Sequence, residues 1–288
     1  MILTVDAPIG APAADAVMAR AETENFPVAS RVLPRRIRSH LLAIYGFARL
    51  VDELGDSAPG DRLAALDWLG EELERAYEGR AEHPLLVRLE PTLRECALPR
   101  QPFIRLIEAN RMDQQVKRYE TWDELRAYCR LSADPVGELV LGVLGMATPA
   151  RIALSDSICT GLQLTEHCQD VAEDYAAGRV YLPAEDLTRF GCATAELSRE
   201  HASRPLREVL AFEVARARGL IAEGAPLIDE LRGRARIALA AFVAGGRAAL
   251  DAIERARFDV LAGPPRATRA RRLMALAGTL AERRRPSR

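Results

Sequence analysis

Apolar residues recur along this chain at intervals of three and four from about Arg35 onward, the repeat of amphipathic α-helices packed on a core. The first such stretch carries Ile37, Leu41, Ile44, Tyr45, Ala48 and Val51 at that spacing. It opens after Pro34 and frays close to Asp56, where Gly55 and the run SAPG interrupt it. Further helices are expected over Asp61–Tyr77, Pro84–Cys96 and Pro102–Arg118. Thr121 opens another that runs to about Leu131, with TWDE in the pattern of a capping box. A Ser-Asp-Pro break then leads into the glycine-rich apolar helix of SADPVGELVLGVLG. From about Pro149 a central helix runs into LQLTEHCQDVAEDYAAGRVYLP, with Gly178 as its stop. A capped start near Ser203 begins a long amphipathic pair reaching about Phe258, whose second member is expected to be weakest at Gly245-Gly246. A last helix, near Thr268 to Glu282, ends in the basic ERRRPSR. About ten helices, no hairpin signal and no repeat of 20–50 residues make this an all-α chain.

With 288 residues and no linker rich in Pro, Gly or Ser, one helical domain is expected over residues 24–283. Residues 1–23 are Ala/Pro-rich and weakly patterned, which predicts a mobile N-terminal segment, and 284–288 form a basic tail. A net charge of −1 argues neither for a nucleic-acid partner nor for an acidic tail, and no nucleic-acid partner is expected. Arginine supplies all the basic residues except Lys117, a bias that a GC-rich genome explains without phosphate chemistry. The five cysteines (Cys96, Cys129, Cys159, Cys168, Cys192) are odd in number and form no C-x-x-C, so reduced core thiols are expected. Neither a signal-peptide pattern nor a membrane-length apolar run is present, which predicts a cytoplasmic protein. The segment RARRLMALAGTLAERRR reads most plainly as a solvated basic end, and alternatively as a peripheral contact with the inner face of the membrane.

Two carboxylate pairs draw attention. Asp170 and Asp174 are four apart, with Glu166 four earlier, which stacks three carboxylates on one helical face. Like charges at that spacing repel by a few tenths of a kcal/mol per exposed pair. Asp52 and Asp56 repeat the spacing on the first helix, with Arg49 three positions before. Either pair alone is commonplace on a solvated face. Two such pairs on apolar helices, one followed by Arg179 and Tyr181 in GRVYLP, point to oxygen ligands for Mg²⁺ around a phosphate. If the two helices face each other in a bundle, divalent cations are needed between the carboxylates. Dinucleotide, P-loop, serine-hydrolase and H-E-x-x-H motifs are all absent. The four histidines show no ligand spacing, and His167 is expected to pack.

AIYGFARLVDELGD, YCRLSADPVG and LQLTEHCQDVAEDYAAGRVYLPAEDLTRFG resemble the squalene/phytoene synthase family from about Glu24 to near the end. ENFPVAS, SADPVG and QDVAED are similar to its hydroxysqualene synthase branch. The resemblance implies a single-domain all-α isoprenoid-synthase bundle with a central apolar cavity. It implies Mg²⁺ held by Asp52, Asp56, Asp170 and Asp174, with Glu166 as a further ligand and the four aspartates essential to catalysis. Arg49, Arg179 and Gln163 would bind the substrate diphosphate, and Tyr45 and Tyr128 would line the reaction centre. Four departures stand out. Glu166 replaces a usual Asn, Gln169 a frequent Arg, and Glu53 the second Asp of a common Asp-Asp; Phe258 falls near a Tyr of some relatives.

The activity so implied is Mg²⁺-dependent conversion of presqualene diphosphate and water to hydroxysqualene and diphosphate, in squalene and hopanoid formation. Pathway enzymes would be its protein partners. The alternative within the family is a prenyltransferase joining two farnesyl or geranylgeranyl diphosphates head to head. A non-catalytic assembly factor is the reading from another class, and the survival of all four motif aspartates weighs against it.

Overall fold

The computed structural model describes residues 32–282. The limits expected at residues 23/24 and 283/284, the mobile segment, the ENFPVAS motif and the basic tail all lie outside them. Among the described residues the fold is all-α, with thirteen α-helices, one short 3-10 helix and no β-strand. By packing, the chain forms two compact units. Among the described residues, one comprises 32–115 with 135–148, the other 116–134 with 149–282.

The first unit is built on α1 (Arg35–Asp56), α2 (Arg62–Tyr77), α3 (Pro84–Glu95) and α4 (Gln101–Gln115), joined by most of α6 (Asp134–Val143). Apolar residues cover more than one face of α1: Phe47, Leu50, Val51 and Leu54 are all buried because α2, α3 and α4 each pack against it. Phe47 meets Phe103 of α4 edge-on at 5.0 Å, a favoured aromatic geometry. Asp61 caps α2 by accepting from the Ala64 N–H. The turn into α3 is fixed from inside: Glu72 is fully buried and accepts from the backbone of Glu82 and His83 and from Arg75. Although burial opposes its charge, those donors hold the Glu72 carboxyl below the usual range.

The second unit contains α5 (Trp122–Ser132), α7 (Pro149–Gln169), α8 (Val171–Ala176), α9 (Ala184–Arg189), the 3-10 helix Thr194–Ser198, α10 (Arg204–Gly224), α11 (Leu227–Glu230), α12 (Gly233–Arg255) and α13 (Arg269–Glu282). Its spine is the antiparallel pair α7 and α10, which approach where side chains are smallest. A Cβ on Gly161 would lie 3.0 Å from the Ala217 carbonyl oxygen, and one on Gly224 only 2.3 Å from that of Leu154. Asp134 is buried beside them, accepting from Arg126 at 2.8 Å and from the Thr160 hydroxyl at 2.8 Å.

Most expected helices are present within a residue or two, and four details differ. The helix expected to reach Arg118 ends at Gln115, because residues 117–120 pair with the GRVYLP segment: the Val180 N–H donates to the Lys117 carbonyl and the Ala184 N–H to that of Tyr119. Thr121 does cap α5, but Glu124 returns its carboxylate to the Glu120 N–H, one residue earlier than a capping box requires. Gly245-Gly246 is no weak point. α12 runs through it, and Gly246 is the close contact that admits Leu162 of α7, whose Cδ2 would sit 2.4 Å from an added Cβ. The helix carrying Glu166, Asp170 and Asp174 is interrupted at Asp170. All five cysteines are free thiols, as expected.

Candidate active site

On α1, Tyr45, Arg49, Asp52 and Asp56 follow at intervals of four, three and four, which aligns them on one face. The buried residues behind them lock that face in place. The Arg49 guanidinium lies 3.8 Å from Asp52 and 3.5 Å from Glu53. Its Nε is buried and has no hydrogen-bond partner, a donor left for an anion. Gly55, read from sequence as the point of fraying, lies inside the helix and serves a crossing: an added Cβ would come 2.2 Å from Asn110 Oδ1 of α4. That approach lets Asn110 Nδ2 donate to Asp52 at 3.4 Å and Gln114 Nε2 to the Gly55 carbonyl at 2.9 Å.

About half of the Asp52 side-chain surface is accessible, so a ligand can reach it. The surrounding protein still pushes its carboxyl up to about 7. Desolvation dominates and the Asp56 and Asp113 charges add to it, while Arg49 and Asn110 pull the other way. Asn110 and Asp113 escaped the sequence reading. Their signal was polar residues at helical spacing (Asn110, Asp113, Gln114) on a helix otherwise buried by Phe103, Leu106 and Ile107.

In the second unit, α7 ends at Gln169 and Asp170 takes a non-helical conformation (φ −100°, ψ 17°) before α8 resumes. The i→i−4 bonds continue across this joint, from the Asp170 N–H to the Glu166 carbonyl and from the Asp174 N–H to that of Asp170. Glu166, Asp170 and Asp174 therefore still succeed one another a turn apart. Gly178, at φ +79°, closes α8 with paired bonds: its own N–H to the Tyr175 carbonyl and the Arg179 N–H to that of Asp174. This left-handed closure ties Arg179 to Asp174 through the backbone. The two share a hollow of ≈ 10 Å³ with His167, Val171, Tyr181 and Leu197.

Tyr181 stacks on His167 at 3.9 Å and lies 5.6 Å from Tyr128 and 5.9 Å from Tyr119. Burial, with the Arg179 charge adding, lowers the His167 imidazole to about 3, so it is neutral and packs, as expected. Gln163 sits one turn before it, 3.3 Å away between the Nε2 atoms. Burial likewise raises the Asp170 carboxyl, Glu173 adding and Arg266 opposing.

Among the described residues no three His, Cys, Asp or Glu side chains converge as a ready-made metal cage. Mg²⁺ does not require one, since one or two carboxylates plus substrate phosphate normally hold it. Aspartates whose ionisation is opposed by burial and by neighbouring carboxylates fit such an ion, because a bound cation relieves both penalties.

A family model described as squalene/phytoene synthase matches residues 19–273. The hydroxysqualene synthase of Rhodopseudomonas palustris is 39% identical over 211 residues, covering 73% of this chain and 72% of that protein. The phytoene synthase of Arthrospira platensis is 35% identical over 256 residues, 82% of each. The crystal structure of squalene synthase HpnC from Alicyclobacillus acidocaldarius matches with a TM-score of 0.79 and 44% identity, over 86% of this chain and 92% of that one.

Proposed function

Because the chain belongs to the squalene/phytoene synthase family, we propose that it is a hydroxysqualene synthase, converting presqualene diphosphate and water to hydroxysqualene and diphosphate. The observation that carries this reading is the Tyr45–Arg49–Asp52–Asp56 face: a guanidinium with an unpartnered buried N–H beside a carboxyl whose surroundings favour a cation. Relatives bearing the hydroxysqualene synthase name support the choice of reaction.

In this reading Asp52, Asp56, Asp170 and Asp174, with Glu166, hold Mg²⁺, which when bound supplies positive charge to the diphosphate. Arg49 and Arg179 neutralise phosphate oxygens as the C–O bond breaks and its electron pair leaves with the diphosphate. Gln163 orients the leaving group. Tyr45 and Tyr128 bound the space around the carbocation, and the ring cluster of Tyr128, Tyr181 and His167 limits the entry of water. One water adds to the rearranged cation and loses a proton, which completes the alcohol.

The second reading, head-to-head joining of two prenyl diphosphates, is favoured by the phytoene synthase relatives. Incubation of the purified protein with farnesyl diphosphate alone, and separately with presqualene diphosphate, distinguishes the two. Hydroxysqualene from the second incubation only is the expected result. A C30 or longer product from farnesyl diphosphate alone overturns the preferred reading.

A further inference from the structure

The last described helix is apolar on two sides: Ala275, Leu276 and Leu280 are half-buried beside Thr279, and the outer face is apolar as well. α13 packs on α12 through Thr279, its one buried residue, and through Arg247, which reaches both Thr279 and Glu282. Its outer face carries Ala270, Leu273, Met274, Ala277, Gly278 and Ala281, all exposed and none charged. Leu273 and Met274 are 66% and 63% exposed, against at most 44% for any other large hydrophobic residue among those described. An apolar stripe turned outward costs hydration free energy unless something covers it.

The charges beside the stripe identify what covers it. Arg269, Arg271 and Arg272 occupy the first turn, where the helix dipole disfavours cations, so helix stability does not account for them. Between Arg269 and Ala281 there is no acidic residue, and Glu282 is already paired with Arg247. Three more arginines follow in sequence at positions 283–285. Arginines clustered beside an apolar helical face are the composition of a helix that lies in the headgroup layer of an anionic membrane.

We propose that α13 docks the protein on an anionic phospholipid bilayer, Leu273 and Met274 entering the acyl boundary while Arg269, Arg271 and Arg272 meet lipid phosphates. The docked helix is tethered close to the second aspartate pair. Gln169, the residue before Asp170, donates to the Pro265 carbonyl, and Arg266 lies within electrostatic range of Asp170. A water-insoluble prenyl substrate is then drawn from the surface on which the protein sits. The docking rests on the surface alone; only this last consequence rests on the function proposed above.

The test is flotation of the full chain with phosphatidylcholine vesicles, with and without phosphatidylglycerol, alongside turnover of detergent-solubilised presqualene diphosphate. Flotation is expected only with the anionic vesicles. R269Q and R271Q should each weaken it about fivefold, and L273D/M274D should abolish it while turnover in detergent and the melting temperature persist. Absence of flotation with anionic vesicles overturns the docking, as does flotation indifferent to these substitutions. A solution mass that falls to the monomer's in L273D/M274D overturns it in favour of self-association. Vesicle binding without turnover leaves the docking standing and removes the enzymatic reading; turnover without vesicle binding does the reverse.

Discussion

His167 and Tyr181 lie face to face, ring centroids 3.9 Å apart and planes within 15°. The histidine is held neutral by burial, its imidazole lowered to about 3 from an ordinary 6.5. A group whose folded pKa is depressed contributes stability that is present above its unfolded pKa and lost as pH falls toward the folded value. The native state should therefore lose about 1.4 kcal/mol per pH unit below roughly pH 6.5. H167F keeps a ring for Tyr181 and has nothing to protonate, so its melting temperature should fall less between pH 7 and pH 4 than that of the wild type. Identical acid profiles would contradict a neutral, packed His167.

Removing one motif carboxylate should stop the chemistry without unfolding the helices. D52N and D170N are each expected to lower turnover by about two to three orders of magnitude or more, with unchanged far-UV circular dichroism. Near-normal turnover by either variant at saturating Mg²⁺ would refute the assignment of these aspartates to the metal.

Glu166 adds a third carboxylate one turn before Asp170 and two turns before Asp174. E166N should stay active and need more Mg²⁺ for half-maximal rate, since one anionic donor is lost. A Mg²⁺ titration that superimposes on the wild type's would place Glu166 outside the metal shell.

Two glycines of α10 should respond in opposite ways to the same methyl group. G224A drives a Cβ to within 2.3 Å of the Leu154 carbonyl, so α7 and α10 must separate, at about 1–3 kcal/mol. G219A meets nothing within 4 Å and should gain up to about 1 kcal/mol from helix propensity. Urea midpoints of both variants test this, and equal shifts would argue against the close helix contact.

Glu213 and Asp186 share one guanidinium, that of Arg216, which also lies over the rings of Trp122 and Phe212. Burial raises the Glu213 carboxyl to about 8, Arg216 opposing and Asp186 adding. A carboxyl whose folded pKa is raised takes up a proton on folding, so it contributes stability below its ordinary pKa of 4.5 that is lost as pH rises toward 8. E213Q should flatten the dependence of the melting temperature on pH between 6 and 8.5. An unchanged slope would show that Glu213 is ionised throughout.

Much of this protein could be read in one dimension, because helices are written by local rules. The three- and four-residue apolar spacing located nearly every element, Thr121 and Ser203 marked helix starts, and Gly178 marked a stop through a left-handed closure that only its immediate neighbours dictate. The Tyr45–Arg49–Asp52–Asp56 and Glu166–Asp170–Asp174 series belong to the same class, since residues three and four apart share a helical face whatever surrounds them. What local rules could not show were relations between segments far apart in sequence. Gly55 and Gly246 look like helix weaknesses until Asn110 and Leu162 are seen pressed against them. Arg118 leaves its helix because its backbone pairs with residues sixty positions later. The ionisation of Asp52, His167 and Glu213 depends on how much protein folds over each, and the bare Leu273–Met274 face depends on what does not. Desolvation and steric exclusion belong to the packed volume, and no stretch of chain encodes them alone.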